Sequence, residues 1–278
     1  MWHVNGEERV CGLHFGKLPQ WIGRNVINVG YSTRRLVSFA LISLTVLLLK
    51  WRVARAAVGP LVREQLIKSG VKLMPLFIFL AAVIGLVVVG QTISWLTRVG
   101  AQGYLGSVMV VVVIRELGPV ISAWAVLTRV GTANVVELST ARALGEVEAL
   151  ESLGIDPIHF FVVPKLVGLA LSVFSLTVYF EAAVLFFGYA WAFFQDIPLM
   201  PGEYFGQIAA ALGWLDFLVV GLKALIFGVI IAVVTCYHGL ARPLQLEQVP
   251  VVTVRAVGQS IVALMVVDAL FLLVYLIR

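Results

Sequence analysis

Five long apolar stretches dominate the sequence, at roughly residues 73 to 97, 104 to 134, 158 to 194, 214 to 238 and 255 to 277. Each is uncharged or nearly so and long enough, at ~20 residues or more, to cross ~30 Å of hydrocarbon as a helix. No water reaches a backbone group in that layer, so the stretches must close their hydrogen bonds internally. The pattern predicts an all-α, polytopic integral membrane protein with five transmembrane helices. The third stretch exceeds what a bilayer requires, so part of it should protrude or run along the surface. An earlier apolar piece, Leu36 to Leu49, is too short to span comfortably. Flanked by Arg34, Arg35, Lys50 and Arg52, it reads as an interfacial or re-entrant helix. It starts too far into the chain for an ordinary signal peptide, and no small-residue cleavage site follows it.

Composition agrees: 61% of the 278 residues are hydrophobic and 13% charged, beyond what a soluble fold of this length can bury. The cations set an orientation. Fourteen of the 20 Lys and Arg fall on one side of the five spans, and only Arg98 and Arg278 fall on the other. By the positive-inside rule the N-terminus is cytoplasmic and the C-terminus external. The net charge of +5 thus speaks of lipid headgroups, not nucleic acid. Cys11 and Cys236 fall on or near the reducing side, so no disulfide is expected. His3, His14, His159 and His238 lack metal-ligand spacing and read as surface or interfacial residues. No repeat or linker divides the chain.

Against this apolar background, charges inside the spans stand out. Arg115 and Glu116 lie within about 6 Å of the midpoint of span two at helical rise. Lys223 in span four and Glu181 in span three fall at nearly the same depth, with Asp268 in span five slightly nearer the midplane. Facing lipid, each would cost a few kcal/mol, so they must face inward, pair, or line a wet cavity. Two readings follow: salt bridges that lock the bundle, or a lining for a substrate path. Gly118 and Pro119 mark a kink beside them. The proline ring clashes with the Arg115 carbonyl, and its missing N–H leaves that carbonyl without a helical partner. Such backbone survives at membrane depth only where protein or water satisfies it. In span four, Ala224, Gly228 and Ala232 make a smooth face for close helix packing.

Between spans two and three, Glu137, Glu146, Glu148, Glu151 and Asp156 stand against Arg142 alone. Leu138, Ala141, Leu144, Val147, Leu150 and Leu153 recur every three residues, predicting one amphipathic helix over 137–153 that ends at Gly154. A helix lying on headgroups would carry Lys and Arg on its polar face. An acidic face beside an apolar stripe points instead to a protein partner.

The stretches RELGPV (115 to 120), RVGTANVVEL (129 to 138), EALESLGIDP (148 to 157) with VVPK (162 to 165), and YHGL (237 to 240) with TVRAVGQSIVALMVVD (253 to 268) resemble the MlaE/YrbE family of ABC-transporter permeases. The resemblance runs from about Val58 to the C-terminus and implies a permease domain over 58–278, preceded by a cytoplasmic segment, 1–57, with the interfacial helix. It implies a homodimer in a bacterial inner membrane, driven by a cytoplasmic ABC ATPase and working with an MCE-domain protein to move phospholipids or related lipids. The chain would be a transport subunit and no enzyme. No G-x-x-x-x-G-K-[ST] element occurs, so ATP would be used by the partner and no cofactor bound by this chain. The resemblance also implies that Glu137, Arg142, Glu146, Glu148, Leu150, Glu151 and Leu153 form a helix that docks on the ATPase. Arg115, Glu116 and Lys223 would match polar positions of the lipid cavity, and Arg255 an arginine at the start of the last span. Glu181 and Asp268 join the candidate substrate residues by depth alone.

Three departures from the family pattern stand out. Gly145 replaces an acidic residue, ARPLQLEQVPVV replaces a Gly-rich segment after Tyr237-His238-Gly239, and Glu181 has no counterpart. The alternative function is a proton-coupled secondary carrier that uses Glu116, Glu181 or Asp268 as its relay, although no inverted repeat is evident. A lipid-cleaving intramembrane enzyme would need a nucleophile and base at the depth of the charges, where no serine or histidine stands in a suitable motif.

Overall fold

A computed structural model describes residues 34–47, 59–195, 200–240 and 245–277. The expectations placed on Cys11, His3, His14, Lys50, Arg52 and residues 241–244 lie outside these residues. The described chain is all-α. Helix α1 covers residues 34–47, α2 Gly59–Arg98, α3 Gln102–Ala143, α4 Glu146–Ser152, α5 Ile158–Phe194, α6 Pro201–Ala211, α7 Trp214–Leu240 and α8 Leu246–Tyr275. Five of them, α2, α3, α5, α7 and α8, are long and apolar enough to cross a membrane. At ~1.5 Å per residue, α2 and α3 are about twice as long as the hydrocarbon layer is thick, so both project beyond it.

Helix α5 is the most enclosed and α8 the least. The former packs against α2, α3 and α7, while α8 lies on one side against α7 and α3. Lipid is as apolar as leucine, so close packing must hold these helices together. Phe77 and Phe180 meet edge to face with ring centroids 6.0 Å apart, within a buried cluster that includes Ile93, Met109, Leu176 and Phe227. Ala224, Gly228 and Ala232 are all buried, and Gly228 faces the α5 backbone at Leu169 and Ala170. Helix α1 turns one stripe, Leu36, Phe39, Ala40, Ser43, Val46 and Leu47, toward the bundle and leaves Val37, Leu41 and Leu44 outward. That i, i+3, i+4, i+7 spacing is the one an interfacial helix needs.

Helix α6 had no forecast from hydropathy. Pro201 starts it, and Tyr204 buries itself against Tyr189 while its hydroxyl donates to the Leu185 carbonyl at 3.3 Å. Gly106 lets the α6 backbone at Gln207 come into contact with the start of α3.

The single amphipathic helix expected over 137–153 is instead two pieces. Helix α3 runs on to Ala143, Gly145 turns the chain at φ +79°, and the seven-residue α4 follows. Leu138, Ala141 and Val147 are buried, whereas Leu144 and Leu153 are exposed. The three-residue recurrence passes unbroken through the turn, which is why periodicity hid it. Gly145→Ala should lower stability by about 1 kcal/mol, the cost of a Cβ in left-handed backbone. No atom lies within 4 Å of that Cβ, so no clash contributes. Thermal unfolding checks this, and Gly145→Asn should lose less because asparagine tolerates the conformation.

Candidate substrate site

Three helices bring charged groups together in two rungs. On the first, Lys223 of α7, wholly buried, has Nζ 3.1 Å from Glu116 Oε2 on α3 and 2.6 Å from Asp268 Oδ1 on α8. On the second, Arg115 Nη2 lies 2.8 Å from Asp216 Oδ1 on α7, and the guanidinium stacks 4.9 Å from the Tyr275 ring centroid on α8. Asp216 and Lys223 are seven residues apart, as are Asp268 and Tyr275, so the rungs are two helical turns or ~10.5 Å apart. The pairing of 216 with 275 and 223 with 268 also requires α7 and α8 to be antiparallel.

The local backbone explains how Lys223 is satisfied. Residues Val110–Leu117 form wide π-helical turns, and the Gly118 N–H reaches back five residues to the Val113 carbonyl. Pro119 has no N–H to offer the Arg115 carbonyl. That carbonyl instead accepts from Lys223 Nζ at 3.0 Å. The ammonium thus donates to two oxygens, the Arg115 carbonyl and Glu116 Oε2, and pairs with Asp268 Oδ1 by charge. Arg115 differs: its Nε is buried without a partner. The side chains of Arg115, Glu116 and Asp268 remain 27%, 26% and 18% exposed.

Glu181 does not join the rungs. Its side chain packs on Gly118, where a Cβ would lie 2.6 Å from Glu181 Cγ, and its Oε1 has no hydrogen-bond partner. Arg255 is exposed and thirteen residues before Asp268, ~20 Å along α8, so it stands apart from the cluster. Asp216 and Tyr275 escaped the sequence reading. Their seven-residue offsets from Lys223 and Asp268 were the available signal, masked by their position near span ends. Asp216 also accepts the Gly213 N–H at 3.0 Å and so caps α7.

The residues expected to couple to an ATPase divide between two places. Glu137 lies on α3 and accepts from Lys165 Nζ at 2.9 Å; the same buried ammonium donates to Asn134 Oδ1 at 3.2 Å, tying α3 to α5. Arg142 Nε stands 3.2 Å from Glu148 Oε1 and Nη1 3.9 Å from Glu151 Oε1, holding α4 against the end of α3. Glu146 and Leu153 are exposed on α4 and just past it, and Leu150 is half-buried. Among the described residues no group of three His, Cys, Asp or Glu is placed to hold a metal.

Residues 62–274 match the model of the family described as Permease MlaE. The chain belongs to the MlaE permease family. It is 31% identical to a probable ABC transporter permease protein of Synechocystis over 208 residues, 73% of this chain and 77% of the relative. A probable ABC transporter permease protein of Rickettsia typhi is 27% identical over 64% of this chain and 69% of its own length. The chloroplastic protein trigalactosyldiacylglycerol 1 of Arabidopsis thaliana is 28% identical over 74% of this chain and 58% of its own. This MlaE permease is a multi-pass membrane protein and a transport permease, and α4 and both rungs apart from Tyr275 fall within the matched residues.

Proposed function

We propose that this MlaE permease is the membrane subunit of an ABC transporter that moves phospholipids or related lipids, with the polar part of the lipid held at Arg115 and Glu116. The observation that carries the reading is the Arg115 guanidinium, with Nε unpartnered at membrane depth beside a partly exposed carboxylate. A buried donor without a partner is costly, and a phosphate oxygen would satisfy it with a charge-assisted bond. Lys223, bonded to Glu116 and the Arg115 carbonyl and ion-paired with Asp268, serves to keep α3, α7 and α8 in register around the headgroup. The acyl chains would lie against the apolar outer faces of the same helices.

In this reading the N-terminus and α4 are cytoplasmic, the permease works as a homodimer in a bacterial inner membrane, and an MCE-domain protein exchanges lipid on the far side. A separate ATPase docks on the exposed acidic face of α4. Closure of the ATPase would push α4, and the Arg142 pairs would pass that motion to α3. The Lys165 bond to Glu137 would carry it to α5.

A mild-detergent pull-down from native membranes, read by mass spectrometry for proteins and lipids, tests both halves. Wild type should bring down an ABC ATPase and phospholipid. Glu148→Lys/Glu151→Lys should lose the ATPase and keep the lipid, whereas Arg115→Gln should keep the ATPase and lose at least tenfold of the lipid. No ATPase with an intact wild-type permease would overturn the ABC reading in favour of a carrier using the membrane carboxylates.

A further inference from the structure

Where α1, α4, the start of α5 and the end of α7 meet, the molecule has an open groove of about 790 Å³, remote from the two rungs. Its rim carries three guanidinium groups, Arg34, Arg35 and Arg142, against two carboxylates, Glu151 and Asp156. Glu151 and Arg142 lie 3.9 Å apart, Arg142 also faces Glu148 at 3.2 Å, and Asp156 Oδ1 accepts the Ile158 N–H at 3.0 Å, so Arg34 and Arg35 are the cations offered to a ligand. The floor is apolar, formed by Phe39, Ile42, Val147 and Leu240, with Phe39 edge-on to Tyr237 at 5.7 Å. A cationic rim over an apolar floor fits an amphiphile with a negative head. The position of the groove fits too, because Val37, Leu41 and Leu44 leave an exposed apolar face on α1 of the kind that lipid tails cover. A volume of this size holds a glycerophosphate head and the first part of its chains.

We propose that this groove binds an anionic phospholipid of the cytoplasmic leaflet, separate from the transported lipid, which ties α1 to the segment between α4 and α5. Paired guanidiniums engage phosphate oxygens through parallel N–H bonds, and each cation near a surface adds attraction for anionic lipid. A zwitterionic lipid of the same chains gains less, because its own ammonium opposes the arginines. Bound there, the lipid would make the seating of α4 depend on the charge of the surrounding leaflet. The leaflet assignment rests on the orientation in the proposed function; the binding itself does not.

The test places a p-benzoyl-phenylalanine photocrosslinker at Ser38, an exposed groove residue, in the full chain reconstituted in nanodiscs that expose both faces. Crosslinking to phosphatidylglycerol should exceed that to phosphatidylcholine of the same chains by about tenfold, the effect of one to two well-placed cations. Arg34→Gln/Arg35→Gln should abolish the difference, while Arg115→Gln should preserve it. Millimolar soluble glycerol phosphate should not compete if a lipid is the ligand; full competition would reassign the groove to a soluble phosphate and overturn the proposal. Equal crosslinking of the two lipids, indifference to the double substitution, or crosslinks to protein in place of lipid would also overturn it. Separately, Ser38→Cys should react with a membrane-impermeant maleimide in inside-out vesicles only. Reaction only in right-side-out vesicles would reject the orientation while leaving the nanodisc result standing.

Discussion

Lys223→Met is expected to cost about 3 kcal/mol of stability or more, the range for removing one partner of a buried ion pair. The loss has two parts. Glu116 and Asp268 would face each other without the cation between them, and the Arg115 carbonyl would lose its donor at a place where Pro119 cannot supply one. Neither carboxylate is more than about a quarter exposed, so solvent relieves little of this. A triple variant, Lys223→Met, Glu116→Gln, Asp268→Asn, should regain most of the stability because it leaves no unpaired charge. Thermal unfolding in detergent compares the two, and lipid co-purification separates their functional effects. If the triple variant folds but no longer retains lipid, the polar groups serve the substrate as well as the bundle. If Lys223→Met melts with wild type, the rung does not hold α3, α7 and α8 together.

Substituting Gly228 should have an effect as large, through packing alone. A Cβ there would lie 2.5 Å from Ala170 Cα, 2.8 Å from the Leu169 carbonyl oxygen and 2.9 Å from the Ala170 nitrogen. These are backbone atoms of the most enclosed helix, so no side chain can swing aside. Gly228→Ala should cost about 1–3 kcal/mol, the range for overpacking a close contact. Gly228→Leu should leave no monodisperse protein in fluorescence-detected size-exclusion chromatography. Gly258→Ala on α8 is the control: nothing lies within 4 Å of its Cβ, and alanine favours helix by up to ~1 kcal/mol. Equal behaviour of the two alanine variants would show that α5 and α7 are not closely apposed.

The five spanning helices were legible because a run of ~20 apolar residues has one stable form in lipid, whatever its neighbours do. Pro119 was legible for a similar reason: its missing N–H predicted a stranded Arg115 carbonyl before any partner was known. Gly145 was harder. An every-third-residue apolar pattern continued across it, and a single glycine inside a helical pattern is often tolerated. Its positive φ depends on how the chain must turn to bring Val147 to the groove that α1 also lines and Arg142 onto Glu148. Arg255 and Asp216 show the limit of reasoning from depth. The family resemblance counts Arg255 among the candidate substrate residues, yet helical rise along α8 carries it far from the rungs. Asp216 sits at a span end, yet the long Arg115 side chain reaches it.

What the sequence determined by itself was local in origin: five helices, a short apolar helix ahead of them, a stranded carbonyl, and charges that must share one slab because lipid will not solvate them. What only the tertiary structure decided was which charges meet. Lys223 could have paired with Glu181 as readily as with Glu116 or Asp268 on depth alone, because depth fixes one coordinate and leaves helix rotation and neighbour order open. Those are set by packing between side chains far apart in sequence, such as Gly228 against Ala170 and Gly118 against Glu181. No periodicity within one helix encodes them.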